Sequence, residues 1–157
     1  MEIRTTGFGH PDAQKLAAEV QQEYVARYGD IDQTSMHTDH FDPPGGLFVI
    51  AYLDDEPVAC GGWRAKEQDE DGLLDGDAEL KRMYVVPAAR GRGLARTVLR
   101  HLERTAVEAG RTRLVLETGN KQPEAIGLYE SEGYRAIRKF GYYKDHPDAI
   151  CLGKTLV

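Results

Sequence analysis

Ala78–Ala95 reads AELKRMYVVPAARGRGLA, and the fold turns on how this stretch is understood. Leu80, Met83, Val85 and Val86 predict a strand over 79–86, stopped by Pro87, which has no N–H to give a ladder. Arg90 to Ala95 then brings small residues and two arginines to the start of a helix predicted over 91–109. Leu94, Val98, Leu102 and Ala106 recur on one face of that helix, with Leu99 widening the stripe. First-turn amides lack intrahelical partners and sit at the positive end of the helix dipole. A strand–turn–helix of this composition is therefore a candidate anion cradle, with a solvated basic turn as the competing reading.

Upstream, Glu2–Thr6 predicts a first strand and Pro11 opens a helix to about Tyr28, with Leu16, Val20, Tyr24 and Tyr28 at four-residue spacing and Gly29 as its cap. Residues 30–46 have no clean period and end in Pro43-Pro44-Gly45-Gly46, which predicts a loop or short helix. Leu47–Leu53 and Val58–Trp63 predict a hairpin turning at Asp54-Asp55, with Gly61-Gly62 marking a bulge or a close backbone approach. Lys66–Asp77, rich in Asp and Glu, predicts a solvated loop. Downstream follow a strand from Arg113 to Glu117, a helix opened by Pro123 and closed by Gly133, and strands over 134–137 and 149–156.

Three hairpin strands followed by strand–helix–strand units predict an α/β chain: a mixed, mostly antiparallel central sheet flanked by helices. A length of 157 residues with no repeat or composition break predicts one domain over 1–157. The net charge of −6 argues against a general nucleic-acid surface, and no stretch has the length of a membrane span. The two cysteines, Cys60 and Cys151, read as buried thiols of a cytoplasmic protein. His37 and His40 with Asp39 and Asp42 imitate a metal site, but no further ligand is in reach of the argument, and no metal is expected.

The chain resembles the GCN5-related N-acetyltransferases. The resemblance rests on Arg90-Gly91-Arg92-Gly93-Leu94-Ala95 after the strand ending Met83-Tyr84-Val85-Val86-Pro87, and on the later run Ala125-Ile126-Gly127-Leu128-Tyr129 before Gly133-Tyr134. It covers essentially the whole chain. One departure is Gln122, where many relatives carry Asn three residues before the alanine.

The resemblance implies acetyl-coenzyme A as co-substrate, with its pyrophosphate on the amides of Gly91, Arg92, Gly93, Leu94 and Ala95 and with charge added by Arg90 and Arg92. It implies that backbone groups of Met83 and Val85 pair with the pantetheine arm, that one of their amides meets the developing oxyanion, and that Gln122 contributes an amide contact. Tyr129 is the expected partner of the departing thiolate, Glu79 the leading general base, and Glu117 a second carboxylate that orients the acceptor. Phe41, Asp39, His37, His40, Tyr142, Tyr143 and His146 are candidate acceptor contacts, and Trp63 a candidate for the cleft floor.

The implied activity is acetyl transfer to a primary amine of a small molecule or peptide by direct attack, with neither nucleic acid nor membrane as partner and a homodimer left open. The acidic balance leans toward a cationic acceptor. A longer acyl donor, or a coenzyme-binding regulatory module without catalysis, are the competing readings. The G-x-x-x-x-G-K-[ST] and G-x-G-x-x-G patterns of nucleotide-binding loops are absent.

Overall fold

The computed structural model describes residues 1–34 and 36–156. Its strands are β1 (Glu2–Thr6), β2 (Gly46–Leu53), β3 (Glu56–Lys66), β4 (Asp77–Val85), β5 (Arg113–Gly119), β6 (Arg135–Ala136) and β7 (Ala149–Thr155), and its helices α1 (Pro11–Tyr28), α2 (Leu94–Glu108) and α3 (Pro123–Ser131). The strands form one sheet in the order β1-β2-β3-β4-β5-β7-β6. Every neighbouring pair is antiparallel except β4 with β5. The mixed, mostly antiparallel sheet flanked by helices is thus observed.

Side-chain alternation sends each strand's residues to two cores. On one face α2 lays Leu94, Val98, Leu99, Leu102 and Ala106 against Trp63, Leu80, Leu114 and Leu116. On the other, α1 lays Ala13, Leu16, Ala17 and Val20 against Phe48, Ile50, Cys60 and Tyr84. Gly29 caps α1 in the left-handed region (φ 81°), returning its N–H to the Val25 carbonyl, as the sequence predicts.

The β4–β5 pairing is what makes a site. It holds only for Asp77 with Arg113, Ala78 with Leu114 and Glu79 with Val115, after which the strands part. A bulge lies at the same level. Between the pairs Cys60–Tyr84 and Gly62–Lys81, β4 spends one residue more than β3, and Arg82 there has φ 58°. The extra residue is therefore on β4 rather than at Gly61-Gly62. Those glycines are required by packing: a Cβ on Gly62 would stand 2.6 Å from the Phe48 ring and 2.8 Å from the Leu47 carbonyl oxygen.

Three expectations are corrected. Helix α2 begins at Leu94, because Gly91 (φ 81°) and Gly93 (φ 75°) are left-handed and cannot lie within a helix. The 67–76 segment is also pinned rather than merely solvated. Leu73 is buried, Lys144 reaches Asp71 at 2.9 Å, and fully buried Asp77 receives both Nε and Nη2 of Arg113 at 2.8 and 2.7 Å. The strand expected over 134–137 shrinks to Arg135–Ala136. Among the described residues no helix is long and apolar enough to cross a membrane.

Candidate functional site

Where β4 and β5 part, a cleft of about 350 Å³ opens between α1, α3 and the 140–148 segment. Met83, Glu117, Gln122 and Tyr129 of the sequence-derived site line it. Tyr142, Tyr143 and His146 border it as well.

Glu117 lies on the β5 face opposite α2, beneath the 140–146 segment. Its Oε2 is buried and has no hydrogen-bond partner among the described residues, while the nearby Tyr143 backbone favours the charged carboxylate. Burial pushes its pKa up to about 7; Lys81 opposes the shift, and Glu79 and Asp32 add to it. A carboxyl poised there holds a proton in weak acid and accepts one just above neutrality.

Tyr129 belongs to α3 and is buried to 6 % exposure, its ring in edge contact with Tyr134. Burial, and then nearby Tyr24, raise its pKa, so the hydroxyl stays protonated. Among the described residues that hydroxyl has no hydrogen-bond partner, which leaves it available to the cleft. Tyr24, pushed up to about 12 chiefly by burial, lines the same wall.

Glu79 is placed differently from its expected role. It is buried on β4, bound by Arg64 Nε at 2.9 Å with Lys66 Nζ at 3.9 Å, and it is absent from the cleft wall. Held by the guanidinium and off the cleft wall, this carboxylate does not face an acceptor there. Of the two acids, Glu117 is the one on the cleft wall.

The Arg90–Ala95 turn lies beyond the cleft wall, which ends at Met83. Thr97 is the first amide to enter the helical ladder, bonding the Gly93 carbonyl at 3.1 Å, so the preceding amides stay open. A Cβ on Gly91 or Gly93 would meet nothing within 4 Å, which leaves room for a bulky anion above the turn. Arg92 is exposed and has no ion-pair partner among the described residues. Arg90, by contrast, is occupied: its Nε donates to the Val85 carbonyl at 2.9 Å and its Nη2 pairs with Glu23. Arg90 keeps its remaining N–H donors for a phosphate, and the Val85 carbonyl keeps its second lone pair. Tyr84 packs in the α1-side core, while Val86 touches both cores.

Gln122 precedes α3 and donates Nε2 to the Tyr28 hydroxyl at 3.4 Å. That hydroxyl also accepts from Lys121 N–H at 3.2 Å, so the end of α1 spans to the β5–α3 turn. The other proposed acceptor contacts lie elsewhere. Phe41 is wholly buried in the α1-side core, and Trp63 is buried on the α2 side with Nε1 donating to Thr105 Oγ1 at 3.0 Å. His40 faces Arg64, whose Nη1 stands 2.9 Å from His40 Nδ1. Burial, with the Arg64 charge, lowers the His40 pKa. His37, Asp39 and His40 are not on the cleft wall, and among the described residues no group of three His, Cys, Asp or Glu is arranged to hold a metal.

Sequence reasoning passed over three charged residues of the cleft. Lys81 Nζ and Arg82 Nη1 both donate to Asp32 Oδ2, at 2.9 and 2.7 Å. Burial alone would raise the Asp32 pKa, but the Lys81 charge and both hydrogen bonds outweigh it and hold Asp32 well below the usual carboxylate range. The adjacent pair Lys81-Arg82 was a visible signal in the opening stretch, whereas Asp32 stood in a segment without period.

The model of the acetyltransferase (GNAT) family matches residues 13–134. An IAA acetyltransferase of Azospirillum brasilense is 37% identical over 113 residues, 72% of this chain and 70% of that protein. Human N-acetylaspartate synthetase is 33% identical over 118 residues, 71% of this chain but only 37% of the longer protein. Among solved structures, a Klebsiella pneumoniae protein assigned as an acyl-CoA N-acyltransferase superposes with TM-score 0.78 at 26% identity, covering 99% of this chain and 97% of that one.

Proposed function

Because the chain belongs to the GNAT family of acetyltransferases, we propose that it moves the acetyl group of acetyl-coenzyme A to a primary amine by direct attack, with Glu117 as the base. The observation that carries this reading is a half-buried carboxyl with a pKa near 7 facing a cleft at the parting of β4 and β5. An amine enters protonated and must lose a proton to become a nucleophile, and a base works best when its pKa lies near the working pH. The name of the human relative, N-acetylaspartate synthetase, supports nitrogen as the acetylated atom.

The residues present fit the coenzyme. The open Gly91–Arg96 amides and the unpaired Arg92 suit a pyrophosphate, and the β4 edge exposed by the splay suits an extended arm. Acetyl-coenzyme A supplies the activated thioester. Glu117 takes the amine proton through the cleft, and the Tyr129 hydroxyl offers its proton or a hydrogen bond to the departing sulfur. The buried walls exclude water that would otherwise compete for the acetyl group.

The test is release of free coenzyme A across a panel of amines as a function of pH. The wild-type rate should rise through a limb near pH 7, after correction for the acceptor's own ionisation. Glu117→Gln should abolish that limb and lower kcat/KM by about 10²- to 10⁴-fold. Glu79→Gln should lose stability with the limb intact, since Arg64 loses its charged partner. A limb that survives in Glu117→Gln and vanishes in folded Glu79→Gln would return the base role to Glu79.

A further inference from the structure

We propose that the acceptor is an amine that also carries a carboxylate, an amino-acid-like molecule whose acid group is bound by Lys81 and Arg82 while its amine faces Glu117. The inference rests on the acetyl-transfer reading and names the substrate class of that same cleft.

The argument begins with an imbalance of charge. Lys81 and Arg82 are adjacent, both under 10 % exposed, and both line the cleft. Between them they have one carboxylate, and both use the same oxygen of it, Asp32 Oδ2. The other oxygen, Oδ1, accepts the Thr34 N–H at 2.9 Å. Asp32 thus uses both of its oxygens, and its one negative charge is shared between two cations. Each cation also keeps further N–H donors, since an ammonium has about three and a guanidinium about five. Glu79 offers no relief, because Arg64 occupies it. The other acids at the cleft are Asp30 and Asp148, whose side chains accept from Gln33 Nε2 and Asn120 Nδ2 at the rim.

Glu117 is the remaining acid on the cleft wall, and it holds a proton through weak acid up to about pH 7. Glu19 of α1, whose Oε2 is buried with no hydrogen-bond partner among the described residues, lies off that wall. Counted over Lys81, Arg82, Asp32 and Glu117, without the rim acids, the wall passes from net positive to balanced as Glu117 ionises. A cationic acceptor without an acid group would add a further positive charge to that wall. An acceptor with its own carboxylate offers an acceptor to the unused N–H donors of Lys81 and Arg82, and a guanidinium beside an ammonium is a suitable anchor for it. Lys81 is the strongest charge acting on Glu117, so anchor and base belong to one compact subsite. That subsite suits an amine and a carboxylate a few bonds apart. The protein's overall acidity, which leaned toward a cationic acceptor, says little about one buried wall.

The experiment compares matched acceptors at saturating acetyl-coenzyme A: L-phenylalanine, L-phenylalaninamide and phenethylamine, with parallel sets built on leucine and aspartate. Rates are expressed per free amine. Amino acids with a free carboxylate should be favoured in kcat/KM by more than about tenfold in at least one set. Lys81→Met should erase that preference with coenzyme affinity changed by less than about threefold, and Lys81→Arg should restore much of it. A second arm measures, by calorimetry on the coenzyme A-loaded protein, binding of N-acetyl-L-phenylalanine against its amide, and likewise for the other sets. Amides and decarboxylated amines used as well as the acids in every set would overturn the inference and leave acetyl transfer standing. If no amine is turned over, the acetyl-transfer reading fails and the binding arm decides: a Lys81-dependent preference for the acid supports carboxylate recognition, and equal binding overturns it.

Discussion

At the scale of single residues, Glu117 is held in a state that costs stability. Its folded pKa, about 7, lies above the unfolded value near 4.5. Its contribution to stability is therefore fully present below the unfolded pKa and is lost as pH rises through 7. Wild-type stability should fall between pH 4.5 and 8 by an amount that Glu117→Gln does not show. The carboxyl keeps partial access to solvent, so the difference at pH 8 should be about 1–2 kcal/mol in favour of the variant, read from denaturant unfolding at pH 5 and pH 8. A variant no more stable than wild type at pH 8 would mean that Glu117 is better solvated than its surroundings imply. Tyr129 supports a separate prediction. Tyr129→Phe keeps the ring and its contact with Tyr134 and removes only the unpartnered hydroxyl. A contact to the leaving sulfur strengthens as the bond breaks, so it lowers the barrier rather than the ground state. The expected result is kcat lower by about 10- to 100-fold, with coenzyme affinity within about threefold. Wild-type kcat under conditions where chemistry limits the rate would leave Tyr129 as a packing residue.

At the scale of elements, the β4–turn–α2 unit shows how far local chemistry reaches. Pro87, the small residues and the apolar stripe through Val98 and Leu102 disclosed a strand, a turn and a helix. The helix start slipped by one turn because a period says nothing about φ, and Gly91 and Gly93 are left-handed. Gly93→Ala makes this testable. Its Cβ has space, so any loss of stability comes from backbone strain of about 1–2 kcal/mol and should appear as a Tm drop of about 2–6 °C. Coenzyme A affinity should fall as well, because the strain is relieved by moving the open amides. A variant with lowered Tm and unchanged affinity would separate the turn from the pyrophosphate. The same logic explains what remained hidden in the sequence. Leu16 and Val20 on α1 were legible because their burial follows a helical period. The Lys81–Asp32–Arg82 cluster was not, since it depends on a bulge in β4 meeting an aperiodic loop far away in the chain. The different surroundings of Glu79 and Glu117 stayed hidden for a related reason. Both are strand acids on one face, and only tertiary structure shows that Arg64 neutralises the first and the Tyr143 segment buries the second.

At the scale of the whole molecule, the sheet is two halves joined at one end. β1 to β4 form an antiparallel half, β5, β7 and β6 another, and three residue pairs connect them before β4 and β5 part. The cleft exists because that junction is short, so the junction must be strong where it is made. Its first pair is Asp77 with Arg113, and the same two residues are joined by both Arg113 Nε and Nη2, with Asp77 fully buried and Arg113 also donating to the Gly72 carbonyl at 2.8 Å. The side chains thus clamp the backbone ladder at its closed end, and they tie in the 67–76 segment whose far side meets Lys144 of the cleft-covering loop. Asp77→Ala should leave the Arg113 guanidinium without its buried partner. The expected cost is about 2–4 kcal/mol, below the largest buried-pair losses because Arg113 retains some access to water. For a chain of 157 residues this corresponds to a Tm lower by about 5–15 °C. Stability alone would not distinguish a clamp from any other buried ion pair. The distinguishing measurement is hydrogen exchange at β4 and β5: opening the clamp should raise exchange across Asp77–Glu79 and Arg113–Val115 more than in β1–β2, and saturating acetyl-coenzyme A, by bridging the two halves, should restore part of the protection. Exchange that rises uniformly over the sheet, with no local excess at the junction, would show that the pair stabilises the fold as a whole without holding the cleft's closed end.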